Sequence, residues 1–229
     1  MIYHINNTTS TNDEARRDGY RHRDVIWSEH QSLGRGQRGH SWHSAEGKNL
    51  TFSVVLHPTF LPIVEQFLLS EVVALSLVDA MAEYGIECRI KWTNDIYVED
   101  SKLVGVLIEH SLSGDTLART IVGIGLNVNQ IEFPDDLPNP TSMALCCGRE
   151  FRREEVLDCF MRKLEEWYEV LASGGKQQVE ERYVSGMYHL GEEHHYMLPS
   201  GERFSATIRG VRPSGELRLE HADGIVREY

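Results

Sequence analysis

The spacing of hydrophobic residues along the chain predicts several short strands and two long helices. Alternating or continuous apolar runs, bounded by turn-forming residues, predict strands at 2–5, 25–27, 50–56 and 119–129. Helices are predicted at 13–19, 62–85, 152–172 and 176–186. In the two long helices, apolar residues recur every three to four positions and indicate one buried face. Pro62 and Gly85 supply the start and stop signals of the first long helix.

Residues 191–229 differ from the rest of the chain in their pattern of hydrophobic and turn-forming residues. Short β-prone runs alternate there with turn residues such as Pro213-Ser214-Gly215 and Asp223-Gly224. They predict a small antiparallel sheet or barrel, too small to be stable alone and therefore docked on the larger part. We expect two domains, one at 1–188 and a smaller one at 189–229.

Residues 90–108 predict a β-hairpin that carries Lys102 at the start of its second strand. A lysine on such a rigid ladder has its ammonium group pre-positioned. Opposite a phosphate about 4 Å away, this charge gains roughly 4 kcal/mol at an effective dielectric near 20. An ordinary solvated lysine is the alternative. The nearby Lys91, the amide of Asn94 and the carboxylate of Asp95 favour a functional role.

The segment 34–42 predicts a loop rich in glycine and arginine. Its glycines allow the backbone to approach a ligand, and its arginines add fixed charge and several donors. The residues concerned are Gly34, Arg35, Gly36, Arg38 and Gly39. In an acidic chain this indicates a local anion site, although a surface loop without a ligand is the alternative. The loop matches neither GxGxxG nor the P-loop, because a strand follows it. Trp42 either packs in the core or covers an apolar ligand.

Two further segments combine polar residues or glycines with predicted elements. Residues 8–12 are hydroxyl- and amide-bearing and precede a short helix, so they either face a ligand or cap the helix. Gly123 and Gly125 interrupt a strand and indicate close approach of its backbone to another element or to a ligand. Asn127 follows in the same apolar run and needs polar partners if it is buried.

Composition and charge narrow the class of protein. The 229 residues are 41% hydrophobic and 25% charged, which is typical of a soluble globular protein. The net charge of −12 disfavours nucleic acid and anionic membrane as partners. The four cysteines lack CxxC spacing and indicate neither a zinc site nor a disulfide framework. Without a signal-peptide pattern or a membrane-spanning apolar run, a cytoplasmic location is expected.

Taken together, these segments resemble the biotin protein ligase family, also called biotin–acetyl-CoA-carboxylase ligase. The resemblance covers essentially the whole chain and depends on an ordered set of motifs. The motifs are Ser10-Thr11-Asn12, Gln31, Gly34-Arg35-Gly36-Gln37-Arg38-Gly39 with Trp42, Lys91-Trp92-x-Asn94-Asp95, Lys102-Leu103-x-Gly105 and Gly123-x-Gly125-x-Asn127. It implies an α+β fold like that of class II aminoacyl-tRNA synthetases, with a mixed β-sheet, helices on one side, and a small SH3-like β-barrel after it.

The resemblance also implies a two-step ligase that uses biotin, ATP and Mg²⁺. Biotin and ATP would give biotinyl-5′-adenylate and pyrophosphate, and the biotinyl group would then move to a lysine of a biotin carboxyl carrier domain. Carried over by position, Ser10, Thr11, Asn12 and Gln31 would hold the ureido ring, and the loop 34–39 would cover biotin and the adenylate. The other expected binding residues are Trp42, Lys102, Gly105, Gly123, Gly125 and Asn127, and no residue is expected to bind a metal.

Lys102, Arg35 and Asp95 are the expected catalytic residues. Lys102 would contact the biotin carboxylate and the α-phosphate and stabilise charge as the carboxylate oxygen attacks phosphorus. The acceptor lysine, with a reference pKa near 10.4, is neutral only about once in 10³ at pH 7. Asp95 is a candidate for helping to remove its proton, and a turn-capping carboxylate is the alternative.

Some positions depart from the family pattern. Gln37 and His40 stand where many members have arginine, and Thr93 replaces the common proline. If those arginines contact phosphate, their loss removes charge-assisted hydrogen bonds worth about 1.5 to 3 kcal/mol each. We therefore expect faster release of the adenylate. The chain ends at Tyr229, where the family usually has one more strand, so an incompletely closed small domain is expected.

Three readings of the function compete. Ser10 follows Met1 too closely for the helix-turn-helix of repressor members, so a monofunctional ligase is expected. A lipoate or octanoate ligase or transferase shares the architecture, but the Gly-Arg-Gly loop and the Lys-Trp-x-Asn-Asp motif favour biotin. A non-catalytic binding module for biotin or a nucleotide is the third reading. The oligomeric state, monomer or homodimer, stays open.

Overall fold

The computed structural model describes residues 1–229, except for the side chain of Arg38. The strands are β1 (Ile2–Thr8), β2 (Val25–Gln31), β3 (Leu50–Leu56), β4 (Arg89–Lys91), β5 (Asp95–Val98), β6 (Ser101–Ser113), β7 (Thr116–Leu126), β8 (Glu193–Met197), β9 (Arg203–Val211), β10 (Leu217–His221) and β11 (Val226–Glu228). The helices are α1 (Thr11–Ala15), α2 (Phe67–Ala82), α3 (Met143–Cys147), α4 (Arg153–Ala172) and α5 (Lys176–Ser185).

The larger sheet has seven strands in the order β1-β2-β3-β7-β6-β5-β4. Strands β1 and β2 are parallel, and all other neighbours are antiparallel, so the expected mixed sheet is confirmed. The long β6–β7 hairpin and β3 form its centre. Because β3 is buried along its whole length, most of its residues are apolar and do not alternate strictly with polar ones.

The long helices cover one face of this sheet. Phe52 of β3 and Phe160 of α4 meet edge to face there, with ring centroids 5.5 Å apart. The short helix α1 lies against the other face, where Ala15 packs with Ile26 and Val55 in a separate small cluster. The expectation of helices on one side therefore holds for the long helices. Among the described residues, every helix is too short or too polar to span a bilayer.

Helix α2 differs from its prediction in two respects. It begins at Phe67 rather than Pro62, and Val64 lies in a preceding 3₁₀ turn with 72% of its surface exposed. Thirteen of its sixteen residues are buried, so the expected single buried face is wrong. The reason is that α2 packs between the sheet, α4 and α5. Burial, with a smaller contribution from the charge of Glu180, raises the pKa of Glu71 in this helix to about 8.

The smaller sheet has four antiparallel strands in the order β11-β10-β9-β8. Its buried residues, including Ile208, Leu217 and Leu219, belong to the same hydrophobic core as α2 and α4. The indole Nε1 of Trp92 donates a 2.8 Å hydrogen bond to the carbonyl of Gly215 and joins the larger sheet to the β9–β10 turn. The division into domains at 1–188 and 189–229 remains a prediction.

The shared core predicts how the two sheets unfold. Leu219 is 1% exposed, so Leu219→Ala should lower the free energy of unfolding by about 2–5 kcal/mol within one cooperative transition. Urea denaturation followed by circular dichroism and tryptophan fluorescence measures this. Val226→Ala, at a position 38% exposed, is the control and should change little. Two separate transitions, with only the smaller one shifted, would contradict a shared core.

Candidate active site

A cavity of about 310 Å³ lies on the α1 side of the central strands. Most of the predicted site residues line it: Ser10, Thr11, Asn12, Gln31, Arg35, Gly36, Gln37, Trp42, Asp95, Lys102, Gly105, Gly123 and Gly125. The predicted residues Gly34, Gly39 and Asn127 are not among its lining residues. The side chain of Arg38 lies outside the described part of the structure. The cavity therefore brings together segments that are far apart in sequence.

Glycines form part of the floor of this cavity, on the β6–β7 hairpin. Gly105 and Gly125 are directly paired across the two strands, and the indole of Trp42 lies against both. A Cβ atom at Gly125 would lie 2.1 Å from the indole Cε2, and one at Gly105 would lie 2.8 Å from Cζ3. Any side chain at these positions would displace the indole. The prediction that the strand carrying Gly123 and Gly125 approaches another element closely is confirmed.

Asn12 approaches the same hairpin one step further along β7. A Cβ atom at Gly123 would lie 2.2 Å from the Asn12 Oδ1. This Oδ1 accepts a 2.6 Å hydrogen bond from Ser53, and the Nδ2 donates to Glu109 at 2.9 Å and to the Leu107 carbonyl at 3.3 Å. These partners fix which way the amide of Asn12 points.

Ser10 and Thr11 complete the polar end of the cavity with Gln31. All three residues of the Ser10-Thr11-Asn12 segment are 3% exposed. The backbone N–H of Thr11 donates a 2.6 Å hydrogen bond to Gln31 Oε1, and its hydroxyl lies 2.8 Å from the hydroxyl of Ser53. Ser10 occupies the N-cap position of α1, but its side chain makes no capping hydrogen bond. Helix capping therefore does not account for the Ser10 hydroxyl.

Lys102 and Asp95 form an ion pair at another part of the cavity. The Lys102 Nζ lies 2.8 Å from Asp95 Oδ2 and 5.8 Å from the centroid of the Trp42 ring. Both side chains remain about one-third exposed. The backbone of Lys102 is held by hydrogen bonds with Asn139 and Thr141, so the base of its side chain is fixed. An ammonium group at this place can reach a ligand in the cavity.

Arg35 is engaged by two carboxylates. Its guanidinium donates to Asp13 at 2.7 Å and to both Glu109 oxygens at 3.3–3.4 Å. Arg16 contacts the same Glu109 carboxylate. The expected anion site at Arg35 is thus occupied by protein carboxylates, and an incoming anion would have to exchange with them. Because these groups are partly exposed, each such pair contributes little to stability.

Asn127 lies apart from the cavity lining. It is 4% exposed, and its Nδ2 donates a 2.9 Å hydrogen bond to the carbonyl of Thr141. Its buried Oδ1 has no partner among the described atoms. The Asn127 side chain therefore has the expected polar partner at its Nδ2 only. That partner, Thr141, also hydrogen-bonds to the backbone of Lys102.

Sequence reasoning missed two residues that shape the site, Ser53 and Glu109. Ser53 is fully buried in β3, donates to Asn12 and lies within hydrogen-bond distance of the Thr11 hydroxyl, and Glu109 binds Asn12 and Arg35. A serine inside the apolar run 50–56 was a usable signal, because a buried hydroxyl needs partners. Glu109 gave no such signal, since a charged residue late in a strand is usually solvated.

The contact between Trp42 and the glycines predicts a coupled pair of substitutions. Gly125→Ala should lower the free energy of unfolding by about 1–3 kcal/mol, because its methyl group overlaps the indole. In a Trp42→Ala background, Gly125→Ala should lower the free energy of unfolding much less, because no indole is left for the added methyl group to overlap. Chemical denaturation of the four proteins of this double-mutant cycle measures the difference. Equal costs in both backgrounds would show that the indole does not lie on the glycine floor.

Comparison with known proteins adds an independent observation. Residues 1–127 match the model of the biotin/lipoate A/B protein ligase family. The biotin–[acetyl-CoA-carboxylase] ligase of Paracoccus denitrificans is 31% identical over 95% of this chain and 93% of its own length. The bifunctional ligase/repressor BirA of Bacillus subtilis is 29% identical over 100% of this chain and 72% of its own length.

A solved structure is similar over the whole chain. The biotin protein ligase from Aquifex aeolicus in complex with biotin and ATP has a TM-score of 0.86 and 27% sequence identity. The similarity covers 100% of this chain and 94% of that one. The cavity, the fold and the sequence similarity agree, and the chain belongs to the biotin/lipoate A/B protein ligase family.

Proposed function

We propose that this protein is a biotin protein ligase. It forms biotinyl-5′-AMP from biotin and ATP, releasing pyrophosphate, and transfers the biotinyl group to a lysine of a biotin carboxyl carrier domain. The observation that carries the proposal is the order of chemistry along one cavity, with amide and hydroxyl groups, then an indole on a glycine floor, then an ammonium group. The relatives named as biotin ligases support the same activity.

The order of groups in the cavity fits the chemistry of biotin. A ureido ring presents hydrogen-bond donors and acceptors, which suit the cluster of Ser10, Thr11, Asn12 and Gln31. The apolar ring and alkyl chain suit the floor of the cavity under Trp42. Gly123 lies beside Asn12, and Gly125, two residues further along the same strand, pairs with Gly105. Two strand residues span about 7 Å, so the polar cluster and the part of the floor under Trp42 are separated by about this distance. Lys102 lies beyond this floor and suits a carboxylate.

Lys102 performs the main electrostatic role in the first step. The biotin carboxylate oxygen attacks the α-phosphorus of ATP, and pyrophosphate leaves. Negative charge grows on the α-phosphate oxygens, and the Lys102 ammonium stabilises it because the strand holds this group in place before reaction. Binding of the substrate carboxylate and phosphate exchanges the Lys102–Asp95 ion pair for a contact with substrate. The partial exposure of both side chains makes this exchange inexpensive.

Asp95 is the proposed proton acceptor of the second step. The amine of the acceptor lysine must lose a proton to attack the biotinyl carbonyl, after which AMP leaves. Asp95 lines the cavity beside Lys102 and is half-buried, so a carboxylate is available near the reacting carbonyl. In the structure its carboxylate is paired with Lys102 at 2.8 Å.

We propose that Mg²⁺ binds to the phosphates of ATP and not to side chains of the protein. Among the described residues, no three His, Cys, Asp or Glu side chains converge at the cavity as ligands. The acidic groups there, Asp13, Asp95 and Glu109, are all paired with arginine or lysine. Mg²⁺ commonly binds through substrate phosphates and waters, which requires few protein groups. The residues at the cavity do not form a protein-held Mg²⁺ site.

The first test is biotin-dependent exchange of pyrophosphate into ATP. Lys102→Ala should reduce this exchange by about 10²–10³-fold, because the charge that stabilises the transition state is lost. Lys163→Ala is the matched control: Lys163 lies on α4, pairs with Glu83 and Glu166 at 3.1 Å, and does not line the cavity. Exchange with lipoate in place of biotin tests the lipoate alternative. Lipoate-dependent exchange, or full activity in Lys102→Ala, would contradict the proposal.

The second test concerns retention of the adenylate. Gln37 lines the cavity and contacts Thr93 at 3.4 Å. Gln37→Arg should slow release of biotinyl-5′-AMP by about ten- to hundredfold, because an added guanidinium contact to phosphate is worth about 1.5–3 kcal/mol. The rate of biotinyl-5′-AMP release is measured by stopped-flow fluorescence, after the complex is diluted or the bound adenylate is displaced by a competitor. Gln177→Arg, on the exposed face of α5, adds the same charge elsewhere and is the control. An unchanged release rate in Gln37→Arg would refute the idea.

A further inference from the structure

Three side chains with metal-ligating atoms converge away from the active-site cavity, where the segment after α5 enters β8. His189 Nδ1 lies 2.8 Å from Glu192 Oε2, and His194 Nε2 lies 3.2 Å from the same oxygen. The three ligand atoms all lie within 4.8 Å of one another. The cluster therefore presents two imidazole nitrogens and one carboxylate oxygen to a common point.

The spacing of these atoms is close to that of a zinc site. In a tetrahedral site with bonds of about 2.0–2.2 Å, neighbouring ligand atoms lie about 3.3–3.6 Å apart. Two of the three distances here, 2.8 and 3.2 Å, already approach that value. Small side-chain rotations would be enough to admit a cation. Side-chain exposures of 27%, 63% and 37% for His189, Glu192 and His194 leave the point accessible to solvent.

The backbone holds the three residues in this arrangement. His189 adopts a left-handed conformation, with φ of 58°, and its carbonyl accepts a hydrogen bond from the N–H of Glu192 at 3.2 Å. This turn brings Glu192 back toward His189. His194 lies in β8 opposite Ala206 of β9, and its ring lies 3.7 Å, between centroids, from the ring of His189. Most of the arrangement is therefore present without a cation.

Glu192 is suited to act as a ligand. Its Oε2 lies between the two imidazole rings, 2.8 Å from His189 Nδ1 and 3.2 Å from His194 Nε2. The alternative role of the cluster is a hydrogen-bonded surface group that needs no cation.

We propose that His189, Glu192 and His194 bind a divalent transition-metal cation of the Zn²⁺ class, with water completing the coordination. Two imidazoles and a carboxylate suit Zn²⁺, Ni²⁺ or Cu²⁺ better than Mg²⁺ or Ca²⁺, which prefer oxygen ligands. Open coordination positions make this a three-ligand site rather than a closed structural one. The signal in the sequence is His189-x-x-Glu192-x-His194.

The site is linked by contacts to the turn that precedes Lys102. The ring of Tyr188 lies 3.6 Å, between centroids, from His189, and its hydroxyl donates to the carboxylate of Asp100. Asp100 is in the β5–β6 turn, two residues before Lys102. A cation that fixes His189 would restrict the segment carrying Tyr188 and its contact with this turn. The expected effect is a more stable junction between the two sheets.

The test measures binding of Zn²⁺ alone to the full-length protein after treatment with a chelator. Isothermal titration calorimetry at pH 7.5 should show a site that is lost, or weakened by about tenfold or more, in His194→Ala and in Glu192→Gln. Saturating Zn²⁺ should raise the melting temperature of the parent protein by roughly 5 to 10 °C at a hundredfold excess over Kd. The same addition should leave the melting temperature of both variants almost unchanged.

His195→Ala is the matched control, because neighbouring strand residues point to opposite faces. His195 is exposed and contacts Ser205 at 2.9 Å, away from the cluster. This variant should bind Zn²⁺ within about twofold of the parent protein. Absorption of bound Co²⁺ in the visible range reports the ligand set directly and should disappear in His194→Ala but persist in His195→Ala. Equal binding by His194→Ala and His195→Ala, or no binding by the parent protein, would overturn the proposal.

Discussion

The site depends on a close approach between side chains and the backbone of one β-hairpin. Trp42 lies against Gly105 and Gly125, and Asn12 lies against Gly123, at separations that leave no room for a Cβ atom. At Gly105, Gly123 and Gly125 the wall of the cavity is therefore formed by backbone atoms. Because this floor belongs to the central strands of the seven-stranded sheet, it is among the most rigid surfaces the fold offers. Loops and the short helix α1 then place polar groups around it.

Charge in the site is arranged as exchangeable ion pairs. In a chain with a net charge of −12, the cations Arg35 and Lys102 are balanced by Asp13, Glu109 and Asp95. Partly exposed pairs of this kind contribute about 0–1 kcal/mol each. They keep the cations in place and neutralised, yet a carboxylate or phosphate of the substrate can replace the protein carboxylates at low cost. Under the proposed function, this arrangement allows an acidic protein to bind an anionic nucleotide.

The motif around Lys91–Asp95 serves structure as well as chemistry. Trp92 binds the carbonyl of Gly215 in the smaller sheet, and the buried Asn94 donates to the carbonyl of Val106 on β6. Asp95 in the same motif faces Lys102. One short segment thus joins the smaller sheet, the floor of the cavity and the proposed catalytic pair. The position of the smaller sheet and the geometry of the site are consequently linked through direct contacts.

The sequence by itself determined the kind and order of most elements and the motifs that line the cavity, because hydrophobic spacing, turn residues and interrupting glycines are local signals. It did not determine that α2 is buried on nearly all sides, nor that Ser53 and Glu109 orient Asn12. The Asn12–Glu109 contact joins residues 97 positions apart. Only the packing of β1, β3 and the β6–β7 hairpin into one sheet brings such residues together, since a polar group's partner is chosen by three-dimensional proximity and burial.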